Sequence, residues 1–317
     1  MLTFIRKLEK LPVAVAGLAL GMASIGNVIA NELPIGPGFY IFPGIATFLL
    51  LLIVIKKLSK PKLLWHEISH PVLGSFIPAF DMCLMVISEL VARYNLLLGQ
   101  ALWYSAIILH IVFTACFFYH RFRNFDLNHM LPSWYVPPVG IVVACVTGNQ
   151  MHAENLVHII FYIGLTMYAI MLPIMLYRLI FGDRIQDAQL PSFAIMGAPA
   201  SLCLAGYLTA FDSPNPQIIG ILLALALMMT SLVYISMFRI NNLKIQFVPI
   251  YASFTFPLAV GSVALFKYSR YVGLDSETGQ FWHTLAKVEM FLATAVILWV
   301  LIKMFKYVNQ EFKMIQA

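Results

Sequence analysis

Apolar and polar positions along the 317-residue chain alternate on the scale of whole segments. A bilayer-crossing helix needs about 20 mostly apolar residues. Ten segments meet that length: 11–30, 38–56, 71–92, 96–118, 132–150, 156–181, 191–211, 216–238, 247–267 and 281–305. The connections between them are too short for a separate soluble domain. The pattern predicts an all-α integral membrane protein, with residues 1–317 forming one transmembrane domain. A basic N-terminus followed by an apolar run is also the pattern of a signal peptide. Here the run opens a repeat, so it is expected to be retained.

The repeat is marked by proline. The odd-numbered segments open on Leu11-Pro12, His70-Pro71, Leu131-Pro132, Leu190-Pro191 and Val248-Pro249, with prolines 59, 61, 59 and 58 residues apart. That interval is one hairpin of two helices. It divides the chain into repeats at approximately 11–56, 71–118, 132–181, 191–238 and 248–305. Proline suits a first helical turn, where its missing N–H would be unpaired anyway.

Further prolines follow inside the odd segments: Pro78, Pro137 with Pro138, Pro199 and Pro257. The first copy has Gly17 and Gly21 instead. Interior proline removes a backbone bond and kinks a helix. The odd helices are therefore expected to bend near mid-membrane, and Phe256, directly before Pro257, to be biased out of helical conformation. The even segments are rich in Leu, Ile and Met, as lipid-facing helices are. The expected architecture is a quasi-five-fold ring of hairpins, with kinked odd helices inside and even helices outside.

Composition agrees with the class. The chain is 61% hydrophobic and 11% charged, with mean hydropathy +0.85, against about 25% charged in soluble domains. Cys83, Cys116, Cys145 and Cys203 fall in apolar runs and read as buried thiols. The net charge of +6 is one-sided: 16 of the 20 Lys and Arg, from Arg6 to Lys313, fall on one side of the alternating segments. By the positive-inside rule both termini are cytoplasmic. The charge is a topology signal, and nothing in it calls for nucleic acid.

The runs Pro12-Val-Ala-Val-Ala-Gly-Leu-Ala-Leu-Gly21, Pro132-Ser-Trp-Tyr-Val-Pro137 and Ser253-Phe-Thr-Phe-Pro257 resemble the tellurite-resistance/dicarboxylate transporter (TDT) family, which includes bacterial TehA and the plant guard-cell slow anion channels. The resemblance covers essentially the whole chain. Ala19 departs from it, since bacterial relatives often carry proline there. It implies five helical hairpins around a central pore, a homotrimer in the cytoplasmic membrane, and a phenylalanine plug that falls on Phe256. It also implies a small anion as cargo. Either a channel passes it, or a proton-linked carrier moves a C4-dicarboxylate such as malate, or sulfite. No cofactor is implied.

The inner segments hold no Lys or Arg between their opening prolines and their far ends. Hydroxyls are the available donors: Ser24, Tyr135, Thr147, Ser192, Ser201, Tyr251, Ser253 and Thr255. The ordinary alternative for each is a bond to its own helix backbone. Asp81 is the exception, a carboxylate about 15 Å into its segment by helical rise. An intramembrane charge is functional by default. Asp81 is thus a candidate for proton coupling, or else a structural group bonded to a neighbour such as His110. Glu89 and Arg93 have the spacing of an intrahelical pair. Lys287 and Glu289 suggest contacts between helices.

His66-Glu67-Ile68-Ser69-His70 matches the zinc-protease pattern H-E-x-x-H. Pro61 and Pro71 bracket it closely, and no third ligand stands at a motif-like spacing, so the run reads more simply as the lead-in to the third segment.

Overall fold

The computed structural model describes residues 7–33 and 40–314. Arg6 and the expected start of the second segment, residues 38 and 39, lie outside them. The described residues are helical throughout their ordered elements. The α-helices are α1 (Val15–Glu32), α2 (Ile41–Ser59), α3 (Pro61–Ser69), α4 (Leu73–Phe76), α5 (Ala79–Ala92), α6 (Leu96–Arg123), α7 (Val136–Val139), α8 (Val143–Thr147), α9 (Glu154–Phe181), α10 (Ala198–Ala210), α11 (Pro216–Asn242), α12 (Thr255–Val272) and α13 (Glu277–Met314). Among the described residues, nine helical spans are long and apolar enough to cross a membrane. Nine of the ten expected segments correspond to them.

The remaining segment, 132–150, is not one helix. It breaks into 3-10 Pro132–Tyr135, α7, 3-10 Gly140–Val142, α8 and 3-10 Gly148–Gln150. Pro132, Pro137 and Pro138 supply no N–H in its first two turns, and Gly140 and Gly148 lower its helix propensity.

Burial separates two classes of helix. The spans Val15–Glu32, Asp187–Ala210 and Pro249–Val272 are 78, 78 and 83% buried, whereas the even-numbered spans are 28–33% buried. The exposed residues of the latter include Leu51, Ile108, Ile163, Ile221, Ile235 and Phe291. In water such a surface would be an association liability; in a bilayer it is the solvated face. The inner elements pack in a closed circuit: α1 on α5, α5 on α8, α8 on α10, α10 on α12, and α12 on α1. Each is backed by its chain neighbour: α2 behind α1, α6 behind α5, α9 behind α7 and α8, α11 behind α10, and α13 behind α12.

The inner prolines stand where 3-10 or turn geometry gives way to α-helix, inside the spans Leu73–Ala92, Asp187–Ala210 and Pro249–Val272 and in the broken segment 132–150. Each inner segment opens with a stretch of i→i+3 bonds or turns, and an α-helix follows. Examples are Val15 N to Pro12 O at 3.1 Å, Phe80 N to Ile77 O at 3.0 Å and Tyr251 N to Val248 O at 3.0 Å. Pro78 caps α5, Pro137 and Pro138 lie in the first turn of α7, Pro199 is second in α10, and Pro257 is third in α12. Gly17 is likewise third in α1. In a first turn the missing N–H removes no intrahelical bond. Phe256 is therefore helical, the second residue of α12. The change of geometry lies two residues before it, where 3-10 Pro249–Phe254 ends.

At the lysine-rich end, cations reach backbone carbonyls at or near the ends of helical elements. Lys56 Nζ donates to Leu11 O at 2.6 Å, Arg121 to Ser69 O, and Arg178 to Asp183 O at 2.7 Å and Asn128 O at 2.9 Å. Positive charge is favourable there, where the last carbonyls lack intrahelical partners.

Candidate functional site: an axis interrupted at Phe256

Two cavities follow one another along the axis of the inner elements. The first, about 40 Å³, draws its lining from all five inner segments: Gly17 and Leu20; Phe76, Ala79 and Met82; Tyr135, Val136, Val139 and Gly140; Ile195, Ala198, Pro199 and Leu202; Ala252, Ser253, Phe256 and Pro257. The second, about 100 Å³, lies toward the opposite end. Ser24, Asn27, Val86, Glu89, Val143, Thr147, Val260, Lys267 and Arg270 are among its lining residues. Phe256 and Leu202 line both. The Phe256 side chain, 9% exposed, thus stands at the boundary between the two spaces.

Helical period explains the lining. On α1, Gly17, Leu20, Ser24, Asn27 and Asn31 recur at three- and four-residue steps on one face. On α12, Phe256, Val260, Val263 and Lys267 do the same. An apolar stripe therefore becomes polar toward one end.

The hydroxyl candidates divide sharply. Thr255, wholly buried, is engaged in helix contacts: its Oγ1 lies 2.7 Å from Ala252 O and 3.0 Å from Gly17 O. Thr147 accepts from Trp103 Nε1 at 3.1 Å and donates to Val143 O at 3.0 Å, and Tyr251 donates to Ile245 O at 3.0 Å. Ser24, Tyr135, Ser192, Ser201 and Ser253 have no hydrogen-bond partner for their buried hydroxyls among the described residues. Of these, Tyr135 and Ser253 line the first cavity and Ser24 the second.

Asp81 turns away from the axis. Its neighbours Ala79 and Met82 line the first cavity, but its own Oδ1 meets His110 Nδ1 on α6. His110 Nε2 in turn reaches Pro137 O at 2.7 Å, which also accepts from Thr114 Oγ1 at 2.8 Å. A carbonyl only accepts, so Nε2 carries a proton. The Asp81–His110 contact then holds one more proton on either partner, and the pair is neutral overall in both forms. This is the bonded arrangement with His110, joining α5, α6 and α7, and it sets Asp81 apart from the cavity-lining groups.

The opposite end carries a polar network that helical counting alone did not assemble. Glu89 and Arg93 approach to 3.6 Å, as their spacing suggested. Asn27 Nδ2 also lies 3.3 Å from Glu89 Oε2 and 3.3 Å from Val86 O, Arg93 donates to Asn31 at 2.9 Å, and Arg270 pairs with Glu32. Lys267, one residue beyond the apolar part of its segment, lines the second cavity. Its i+11 relation to Phe256 was the available signal.

Glu289 is bonded across helices, with Oε2 accepting from Tyr234 at 2.8 Å. The H-E-x-x-H residues are engaged otherwise than as metal ligands. Glu67 pairs with Lys56 at 2.9 Å and with Lys57. His70 Nδ1 accepts from Val72 N and Leu73 N, both at 3.2 Å. Among the described residues no group of three or more His, Cys, Asp and Glu could hold a metal ion.

An apolar exterior, buried inner helices and two successive cavities along one axis, the second of them polar, define a multi-pass membrane transport protein. The chain belongs to the voltage-dependent anion channel family, whose model matches residues 10–305; this is the TDT family that its motifs resemble. It is similar to two proteins of Methanocaldococcus jannaschii. These are the uncharacterized transporter MJ0762, 29% identical over 164 residues (47% of this chain, 48% of the relative), and the uncharacterized transporter MJ0576, 26% identical over 147 residues (42% of each). The aligned part of this chain spans less than half the length of either curated relative.

Proposed function

We propose that the protein is an anion channel, passing small monovalent anions along the axis of its inner helices, with the Phe256 ring as the gate. The observation that carries this reading is the shared position of Phe256, with Leu202, in the lining of both cavities. A first cavity of about 40 Å³ has room for only a few waters at roughly 10–15 Å³ each. An anion stripped of water against an aromatic floor loses far more than it gains, so the path is closed while the ring stays in place. Rotating or displacing one side chain joins the two spaces. Tyr135 and Ser253 offer hydroxyl donors on one side of the ring, and neither is a fixed charge that would hold the ion.

The remaining parts of the reading are the five hairpins as a quasi-five-fold ring, a homotrimer with one pore per subunit, and a place in the cytoplasmic membrane with both termini inside. The one-sided basic residues support the orientation, and the family membership supports the rest. A periplasm-only reporter fused to the C-terminus should therefore be silent.

The decisive experiment is reconstitution into liposomes with chloride or nitrate gradients. Phe256→Ala should raise the current strongly, reverse at the Nernst potential of the anion, and express as well as the parent protein. A destabilised variant that conducts no better than the parent would return Phe256 to ordinary packing. Malate uptake driven by a pH gradient, without anion current, would make the protein a carrier.

A further inference from the structure

Around the second cavity three cations, Lys267, Arg270 and the adjacent Arg93, face two acids, Glu32 and Glu89. Arg270 is paired with Glu32, and Arg93 with Glu89 and Asn31. Both acids at this mouth thus have partners, and Glu89 has Asn27 as well. Lys267 lines the cavity, half-buried, with no hydrogen bond and no ion pair within 4.0 Å among the described residues. One ammonium group is left over once these pairs are made, in a cavity whose lining combines Ser24, Asn27 and Thr147 with Val86, Val260 and Phe256.

Ser24 supplies a second, independent observation. It lines the same cavity, is 6% exposed, and its hydroxyl has no partner. Helical serines ordinarily bond a carbonyl of the preceding turn. Ser88 and Ser262, on neighbouring inner helices, do so at 2.6 and 2.7 Å. A buried hydroxyl left unmade costs stability, and here it faces the space that Lys267 shares.

We propose that Lys267 and Ser24 form a seat for a small monovalent inorganic anion, in which the ion rests on the Phe256 and Leu202 floor before passing it. This rests on the channel reading above and deepens it by naming what the path holds and where. The charge count sets the ligand class. One unneutralised cation balances one negative charge, and a dianion would carry a second, unmatched charge into a partly apolar space. The volume of about 100 Å³ admits a chloride- or nitrate-sized ion with part of its hydration, since one water needs roughly 10–15 Å³. The ammonium supplies charge without a rigid fork, which suits a site that must also release its ion.

The test is thermal unfolding of the full chain in detergent, titrated with sodium nitrate at constant ionic strength against sodium gluconate. A ligand that binds only the folded state raises Tm in a saturable way. The wild-type protein should show that rise. Lys267→Gln should move its midpoint to about tenfold higher nitrate, on the scale of one charge-assisted bond. Lys267→Arg should keep most of it, and Ser24→Ala should weaken it several-fold. Ser24→Ala is the sharper variant: a hydroxyl with no role in binding would leave the nitrate midpoint unchanged. It also carries the test if Lys267→Gln fails to fold. The proposal is overturned by the absence of a saturable shift in the wild type, or by an unchanged midpoint in Ser24→Ala. Nitrate current through Phe256→Ala liposomes, measured alongside, separates the two ideas. Current without a saturable shift removes the seat and leaves the channel; a saturable shift weakened by both variants, without current, supports the seat and removes the channel.

Discussion

The hydroxyl of Thr255 lies 3.0 Å from the carbonyl of Gly17, across 238 residues of sequence. This contact joins α12 to α1 and closes the circuit of inner elements. It depends on a second close approach nearby. A Cβ on Gly21 would come within 2.5 Å of both Cβ and Oγ1 of Thr255. Gly21, rather than Gly17, is the glycine that the packing demands, because a Cβ on Gly17 would meet only ordinary contacts at 3.8 Å.

Gly21→Ala should therefore destabilise the protein by about 1–3 kcal/mol, the range for overpacking a close contact. Thr255→Ala should cost less, about 1 kcal/mol for one hydrogen bond. Thermal unfolding in detergent measures both. A Gly21→Ala protein that melts with the wild type would contradict the close approach of α1 and α12.

Asp81 and His110 should behave as a structural pair. Asp81→Ala leaves His110 Nδ1 without its partner in a fully buried site, at a cost of about 1–3 kcal/mol. Asp81→Asn should be milder, because its amide N–H can donate to Nδ1 while Nε2 still serves Pro137. The pH dependence of anion flux should not change in Asp81→Asn. A well-folded Asn variant with an altered pH profile would give Asp81 a part in proton coupling.

The pairing of Glu67 with two lysines makes a strong prediction at the lysine-rich end. Glu67→Ala leaves Lys56, 3% exposed, buried without its carboxylate, a loss of roughly 3–5 kcal/mol for breaking a buried pair. Metal analysis of the purified protein should find no stoichiometric zinc, and His66→Ala with His70→Ala should leave flux intact. Zinc present in the wild type and lost in that double variant would revive the protease pattern.

His70 should give stability a pH dependence of defined sign. Burial, then the neighbouring His66, Arg121 and His129, lower its pKa below the ordinary value of 6.5. Its neutral ring accepts two backbone N–H groups, so protonation opposes the fold. With the folded value depressed, the unfolded chain binds more protons, and stability rises with pH through that window. Its contribution is complete above 6.5 and declines as pH falls from 6.5 toward the folded value. Melting of the wild type between pH 7.5 and 5.5, compared with His70→Asn, isolates it; equal slopes would show that His70 does not contribute.

Much of the class was written in one dimension. Segment length and apolar content determine that the chain is a multi-pass helical membrane protein, because continuous apolar runs of about 20 residues satisfy their backbone groups in a bilayer as helices. The proline interval marks the hairpin unit, and the helical steps from Gly17 to Asn31 and from Phe256 to Lys267 already hold the two stripes. Near-neighbour pairs such as Glu89 with Arg93 follow from local geometry alone.

What the sequence could not decide is where a side chain points once several helices meet. Asp81 sits three residues after Pro78, yet it turns to His110 because the break before α5 resets the helical phase. Thr255, beside Phe256, faces α1 rather than the cavity, and its contact depends on the approach that Gly21 permits. The prolines marked a change in backbone geometry, and the structure places it where 3-10 or turn residues give way to α-helix. Lys267 follows directly on the apolar run that ends at Phe266. It lacks an ion pair within 4.0 Å because Glu32 and Glu89 are each in contact with other partners, one of them from a different repeat. Such allocation is a property of the assembled circuit, in which residues from different repeats compete for the same partners.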